Sequence, residues 1–271
     1  MLINNMSEGL EVSAKVSETI INSDGSTEAS ANMIVKEHFI DLYINDQLAA
    51  KLVCTPKNLS EMIIGRMKTE GYIDSIDDVE SLYICEYGSR ARVFLKNKNP
   101  LERSLEQEPT CCTGNQIFLS KVNGEHLKKL ESVKWEKEWI FRLANAFVRE
   151  SRIHKATQGT HCCYLSIAGE ILYSAEDIGR HNAMDKAIGY ALMNRLDLSR
   201  CILYTTGRVP TDMVKKAVGA GIPILVSKAV PTDQAIEMAE YYNLTLICKA
   251  WPDRFEIFHS EQSSSFCSYV E

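Results

Sequence analysis

Between His161 and Ala250 the chain switches repeatedly between a period of two and a helical period, and that alternation leaves few folds open. HCCYLSI and EILYSA flank Gly169 as a hairpin. NAMDKAIGYALMNR, PTDMVKKAVGAG and TDQAIEMAEYY read as helices, with CILYTT, IPILVS and LTLICKA as the strands between them. Strands that are apolar throughout, separated by short helices, imply a largely parallel sheet covered on both faces. The expected fold class is therefore α/β, with a three-layer α/β/α domain over residues 130–271. Its first element is a helix from Ser132 to Glu150, where Trp135, Trp139, Leu143 and Phe147 recur four residues apart.

Residues 33–100 read as a smaller α+β domain. FIDLYI and LAAKLVC form a hairpin around Asn45-Asp46. LSEMIIGRMKTEG is helical, with Leu59, Met62, Ile63 and Met67 on one face, Asn58 or Ser60 as cap and Gly71 as the stop. VESLYICEY and ARVFLK pair around Gly88. Residues 1–32, rich in Ser, Asn and Glu, read as a tail or edge segment. Residues 101–129 connect the two domains. The stretch NKNPLERSLEQEPTCCTGNQ (97–116) keeps no period and predicts a long loop carrying the adjacent Cys111 and Cys112.

Composition narrows the function classes. With 45% hydrophobic residues in 271, the chain can bury a substantial core. A net charge of -6 argues against a binder of duplex nucleic acid, which needs a basic excess. Nine cysteines without regular spacing form no disulfide framework, so reduced thiols in the cytoplasm are expected. The N-terminus lacks the pattern of an export signal, and no segment approaches the roughly 20 apolar residues of a membrane span.

In parallel sheets ligands sit beyond the carboxyl ends of the strands, which singles out the loops after Ala175, Thr205 and Ser227. The first, EDIGRHNAMDK, is dense in ionisable groups. Asn182 suits an N-cap and Asp185 the first helical turn. Arg180 and His181 are left over, and beside free helix N–H groups they suit a phosphate or carboxylate. The second, TTGRVPTD, offers Thr205, Thr206, Gly207 and Arg208 to the same anion. The third, SKAVPT, adds Lys228 and Thr232, which equally suit a solvated face or a helix cap. Neither GxGxxG nor GxxxxGK[ST] occurs, so no Rossmann or P-loop site is supported.

Cys54, Cys85, Cys201 and Cys248 fall in strands and read as small buried residues; of Cys162 and Cys163, one faces the core. Cys111 and Cys112, in a polar loop, are the reactive candidates. No two cysteines stand three apart, and His259-Ser260-Glu261 is followed only by Cys267, so no metal site is expected and a zinc deaminase is disfavoured. No GxSxG supports an acyl hydrolase.

The segments DIGRHNAMDKAIG, TTGRVPTDMVKKAVGAGIPILVSKAVPT and TPKNLSEMIIGRMKTEGYIDSIDDVESL closely resemble the FdhD family, the sulfur carriers of formate dehydrogenase maturation, over residues 38–260. The resemblance implies a cytoplasmic, homodimeric accessory protein. Such a protein accepts sulfur from a cysteine desulfurase as a persulfide. It passes that sulfur to the bis(molybdopterin guanine dinucleotide) molybdenum cofactor before insertion into formate dehydrogenase. It also implies a C-terminal domain similar to the cytidine deaminase fold without zinc. Cofactor contacts carried over are Arg180, His181, Asn182, Asp185, Lys186, Thr206, Gly207 and Arg208. RFEIFHS adds Phe255, Glu256, Ile257, Phe258, His259 and Ser260, with an edge strand as the alternative reading. The family's carrier loop has the form CGxC or CGxG; against PTCCTGN, Cys111 takes the carrier position and Gly114 the fourth, and a shift of one makes it Cys112. The missing second cysteine keeps open a non-covalent cofactor-binding chaperone.

Overall fold

The computed structural model describes residues 1–7, 9–97 and 127–262, with the backbone of Glu102–Gln107 and Gln116–Ser120. Strand β1 (Leu2–Asn5) precedes a long hairpin of β2 (Ser13–Ile21) and β3 (Thr27–Val35), then a second hairpin of β4 (His38–Ile44) and β5 (Gln47–Cys54). Helix α1 (Leu59–Thr69), β6 (Val79–Ile84), β7 (Arg90–Leu95), β8 (Glu102–Gln107) and β9 (Gln116–Ser120) complete the first half. The second half opens with α2 (Lys137–Glu150), α3 (Arg152–Thr157), β10 (His161–Ile167), β11 (Glu170–Asp177) and α4 (Arg180–Met193). It continues through β12 (Cys201–Thr205), α5 (Thr211–Ala220), β13 (Ile224–Ser227), α6 (Asp233–Tyr242), β14 (Thr245–Cys248) and β15 (Glu256–His259).

One sheet has the order β1-β6-β7-β4-β5-β9-β8 and the other β11-β10-β12-β13-β14-β15, while β2 and β3 make a two-stranded sheet. The second sheet is α/β/α. Its one face packs Tyr164, Tyr204 and Val226 against Ile140, Leu143 and Phe147 of α2. The other packs Cys163, Leu203 and Leu225 against α4, α5 and α6. It is mixed rather than largely parallel. The helical crossovers make β12, β13 and β14 parallel. The tight turn at Ala168-Gly169 returns β11 antiparallel to β10, and the chain beyond Cys248 doubles back as β15.

The two halves share one apolar core, in which Leu42, Met62 and Ile63 join Met184, Ile188 and Leu203. Its centre is the crossing of α1 and α4. A Cβ on Gly65 would stand 1.8 Å from the Asp185 carbonyl oxygen, and one on Gly189 1.8 Å from that of Glu61. The helices therefore meet backbone to backbone. Helix α4 lies between the second sheet and α1, so residues 180–189 are buried on every side.

Several local expectations change. Helix α2 begins at Lys137, not Ser132, because Trp135 is held extended by Gln262, which accepts from its N–H (3.1 Å) and donates to its carbonyl (3.0 Å). Part of the predicted 97–116 loop is strand β8, paired with β9. A ladder bonds through backbone and leaves no apolar period in a polar edge strand. Asn58 stands at the start of α1 without capping it, its amide donating instead to Glu61 (3.1 Å). Helix α4 starts at Arg180 after Gly179, so Asn182 is no N-cap and Asp185 lies beyond the first turn.

Alanine at Gly65 or Gly189 gains up to about 1 kcal/mol of helix propensity, yet must force the helices apart. Overpacking of this kind costs about 1–3 kcal/mol or more. Both variants are expected to unfold at lower urea concentration than the wild type, followed by circular dichroism.

Candidate functional site

The register places the carboxyl ends of β11, β12 and β13 on one edge with the amino end of β10: His161 opposes Asp177, Cys163 opposes Thr205, and Thr205 pairs with Ser227. The three loops singled out by the sequence meet there. Thr206 is clamped to β10: its N–H donates to the Cys162 carbonyl and its hydroxyl accepts from the Cys162 N–H, both at 3.0 Å. Gly207 lies on the Arg180 side chain, where a Cβ would come within 2.8 Å of the Arg180 Cβ. The Gly207 carbonyl accepts from the Ser227 hydroxyl at 2.7 Å. His181, buried, approaches the Asp212 carboxylate at 3.1 Å and so links the first turns of α4 and α5. Arg208, in the loop after β12, is exposed.

A cavity of about 270 Å³ opens on this edge, lined by His154, Gln158, Gly159, Thr160, His161, Thr206 and Lys228. The Lys228 ammonium lies over two rings, 4.8 Å from Phe147 and 5.0 Å from Trp251, which keeps it on the cavity wall. Burial, reinforced by the positive charge of Arg180, lowers the His161 pKa to about 4, so its imidazole is neutral at pH 7. The far wall, 153–160, is held by the Glu176 carboxylate. That group accepts from the N–H groups of Ile153 (3.1 Å) and His154 (2.5 Å) and from the Thr160 hydroxyl (3.3 Å). One ammonium, hydroxyls and a neutral imidazole around a small space suit an oxyanion such as phosphate.

Sequence reasoning missed His154, Gln158, Thr160 and His161. Only His161 carried a signal, as a histidine at the start of a strand beside the anion loops. Residues 153–160 have no apolar period and reach the pocket through Glu176.

Asn182, Asp185 and Lys186 lie behind the pocket, fully buried. Lys186 donates to Asp177 (2.6 Å) and to the carbonyls of Thr55 (3.1 Å) and Glu176 (3.3 Å). The Asn182 amide donates to the Val53 carbonyl (2.8 Å) and to Asp177 (2.9 Å). Asp185 accepts from Thr69 (2.9 Å) and Lys216 (3.0 Å). Each tether joins α4 to another element, and all three side chains reach the first half, Asn182 through Val53, Lys186 through Thr55 and Asp185 through Thr69.

The 255–260 segment is largely the edge strand β15. Glu256 sits beside Cys248 at the pocket edge and pairs with Lys249 (2.8 Å), while Phe255 and Ile257 pack toward α2 and Phe258 on the opposite core. His259 and Ser260 lie at the other end of the strand, beside Asn243 and Trp135. Cys111 and Cys112 lie outside the described residues. Among the described thiols, Cys162 and Cys163 are both buried, on opposite faces of the sheet. Burial raises the pKa of Cys54, Cys162 and Cys163, and pushes Cys201 and Cys248 up to about 12. Cys85 is half-buried in the turn after β6 and not a core residue. There desolvation raises its pKa, but hydrogen bonds from Ser89 and neighbouring N–H groups outweigh it and the net shift is downward. Among the described residues no group of three His, Cys, Asp or Glu side chains is placed to hold a metal, and no helix is long and apolar enough to cross a membrane.

The frame and its pocket define an α/β protein with a cationic strand-end site. The chain belongs to the FdhD/NarQ family, whose model matches residues 35–264. It is 30% identical to a Listeria innocua protein named Sulfur carrier protein FdhD, over 86% of this chain and 92% of that one. It is 35% identical to a protein of the same name from Halalkalibacterium halodurans, over 79% and 82% respectively. A crystal structure described as a formate dehydrogenase accessory protein from Desulfotalea psychrophila superposes with a TM-score of 0.76. It is 22% identical and covers 93% of this chain and 99% of that one, which shows a shared fold.

His161 has a lower pKa folded than its ordinary 6.5. Its neutral form is favoured in the folded state, so its contribution to stability is complete above pH 6.5 and is lost as pH falls from 6.5 through about 4. His161→Gln is expected to flatten this part of the acid-unfolding curve, and NMR of the wild-type imidazole should titrate near 4. Lys186→Met leaves the Asp177 carboxylate buried without its cation, at a cost of about 3–5 kcal/mol. Urea unfolding should show Lys186→Met with Asp177→Leu losing less than the sum of the two single changes.

Proposed function

We propose that this protein is a sulfur carrier for formate dehydrogenase maturation. It takes sulfur from a cysteine desulfurase as a persulfide and delivers it to the bis(molybdopterin guanine dinucleotide) molybdenum cofactor, its substrate. The observation that carries this reading is the strand-end pocket, where Thr206, His161 and Lys228 line a space suited to a phosphate and Gly207 packs on Arg180, in a chain whose relatives are named sulfur carriers.

Lys228 supplies a fixed cation to a diphosphate, with Arg208 exposed in the loop after β12 and Arg180 as buried positive charge behind. Thr206 and neutral His161 give directional donors. Trp251, part-exposed beside Lys228, offers a ring face to a base. Asn182, Asp185 and Lys186 act by locking α4, which sets Arg180 and His181 in place. Of the 255–260 segment, Glu256 lies at the edge proposed for the cofactor, and the rest, Phe255 on Trp135 and Phe141 included, anchors the strand.

Cys111 is the carrier, with Cys112 its alternative. Its thiolate attacks the outer sulfur of the desulfurase persulfide; the new S–S bond forms as the donor's breaks, the donor leaves as a thiolate, and no external oxidant is needed. The homodimer, the cytoplasmic location and formate dehydrogenase as client belong to the same reading.

Incubated with a cysteine desulfurase and cysteine, the wild type should gain one reductant-labile sulfur by intact mass, and Cys111→Ala should not. A wild type that never gains sulfur while binding guanosine diphosphate would favour the non-covalent chaperone. Lys228→Ala should weaken guanosine diphosphate binding about tenfold or more without changing sulfur loading, consistent with loss of one charged contact.

A further inference from the structure

A second cavity, about 430 Å³, lies on the other side of α3 from the strand-end pocket, lined by Lys57, Asn58, Arg149, Glu150, Arg152, Ile153, Ser174 and Glu176. Its walls come from both halves of the chain. Lys57 and Asn58 precede α1, Arg149 and Glu150 end α2, Arg152 and Ile153 begin α3, and Ser174 and Glu176 belong to β11.

Its electrostatics are unbalanced. Lys57, Arg149 and Arg152 take part in no ion pair and donate no side-chain hydrogen bond within the described residues. Elsewhere in the molecule cations at comparable junctions are paired: Lys186 with Asp177 and Lys216 with Asp185. Of the two carboxylates on the cleft wall, Glu176 has both oxygens occupied, one by the N–H of Ile153 and the other by the N–H of His154 and the Thr160 hydroxyl. Those bonds leave Glu176 charged but aimed at α3, so Glu150 and Glu176 together offset two of three cations, which are drawn from three separate elements and face one space with a net positive charge. An oxyanion with several acceptor oxygens is the ligand that can engage three cationic donors not held by the protein's own carboxylates, and the volume exceeds that of the strand-end pocket.

We infer that this junction cleft is a second anion site, distinct from the strand-end pocket, which takes a diphosphate group on Lys57, Arg149 and Arg152. The two sites share the segment 152–160, one on each side, with Glu176 holding the partition. Because the cleft joins residues of both halves, its ligand also clamps them together.

Isothermal titration of the full chain at low salt with inorganic pyrophosphate, and separately with adenosine diphosphate, tests this and tells free from esterified diphosphate. The wild type should bind at two sites. Arg149→Gln with Arg152→Gln, both exposed, should weaken one of them tenfold or more and leave the other. Lys228→Gln should do the reverse, and Lys134→Gln with Lys137→Gln, an equal change of charge elsewhere, should alter neither. Binding confined to the site lost in Arg149→Gln/Arg152→Gln supports the cleft while defeating the strand-end reading. The cleft is overturned if that double variant binds both anions as the wild type does or no more weakly than the control pair, or if the wild type binds neither.

Discussion

Helices α1 and α4 touch backbone to backbone because Gly65 and Gly189 put no side chain between them. That distance holds α4 between the second sheet and the first half. It explains why a helix carrying an arginine, a histidine, an aspartate and a lysine is buried all round. Buried charges of this kind persist only when paired and hydrogen-bonded. The pairs Lys186–Asp177 and Lys216–Asp185 meet that condition by drawing partners from several elements, and the Thr55 carbonyl and Thr69 hydroxyl that complete them come from the first half. The polar network and the helix crossing thus enforce the same arrangement of the two halves.

Held in this way, the start of α4 brings Arg180 and His181 to the carboxyl edge of the second sheet. There Gly207 packs on Arg180, and Ser227 bonds the Gly207 carbonyl, so three loops distant in sequence are joined. The charge left at the edge is positive and partly dry. Lys228 is confined between two rings, and His161 is kept neutral by burial and by Arg180. A site of that composition is organised before a ligand arrives, so little ordering is required on binding.

Much of the frame was legible in the sequence. The period changes after His161 marked the strands and helices of the α/β/α half, and Asn45-Asp46, both at positive φ, marked the β4–β5 hairpin. The anion loops stood out because Arg180 and Arg208 follow strand ends where structure alone needs no guanidinium. What stayed hidden had no local signature. Strand β8 is polar and paired through backbone. Asn182 and Asp185 read as helix-capping residues, yet their partners are Val53, Asp177, Thr69 and Lys216. His154 and Thr160 join the pocket through a carboxylate on another strand.

The sequence by itself determined the order of most elements between β4 and β14, the family, and which loops would carry charge, since periodicity and residue type act within a few positions of the chain. Tertiary structure alone decided which of those charges face a cavity. Lys186 and Lys228 are both lysines next to strand-end loops. One is neutralised at the centre of the protein and the other stands open at a cavity. The difference lies in how closely Gly65 lets α1 approach α4, a contact between residues more than a hundred positions apart that no local pattern encodes.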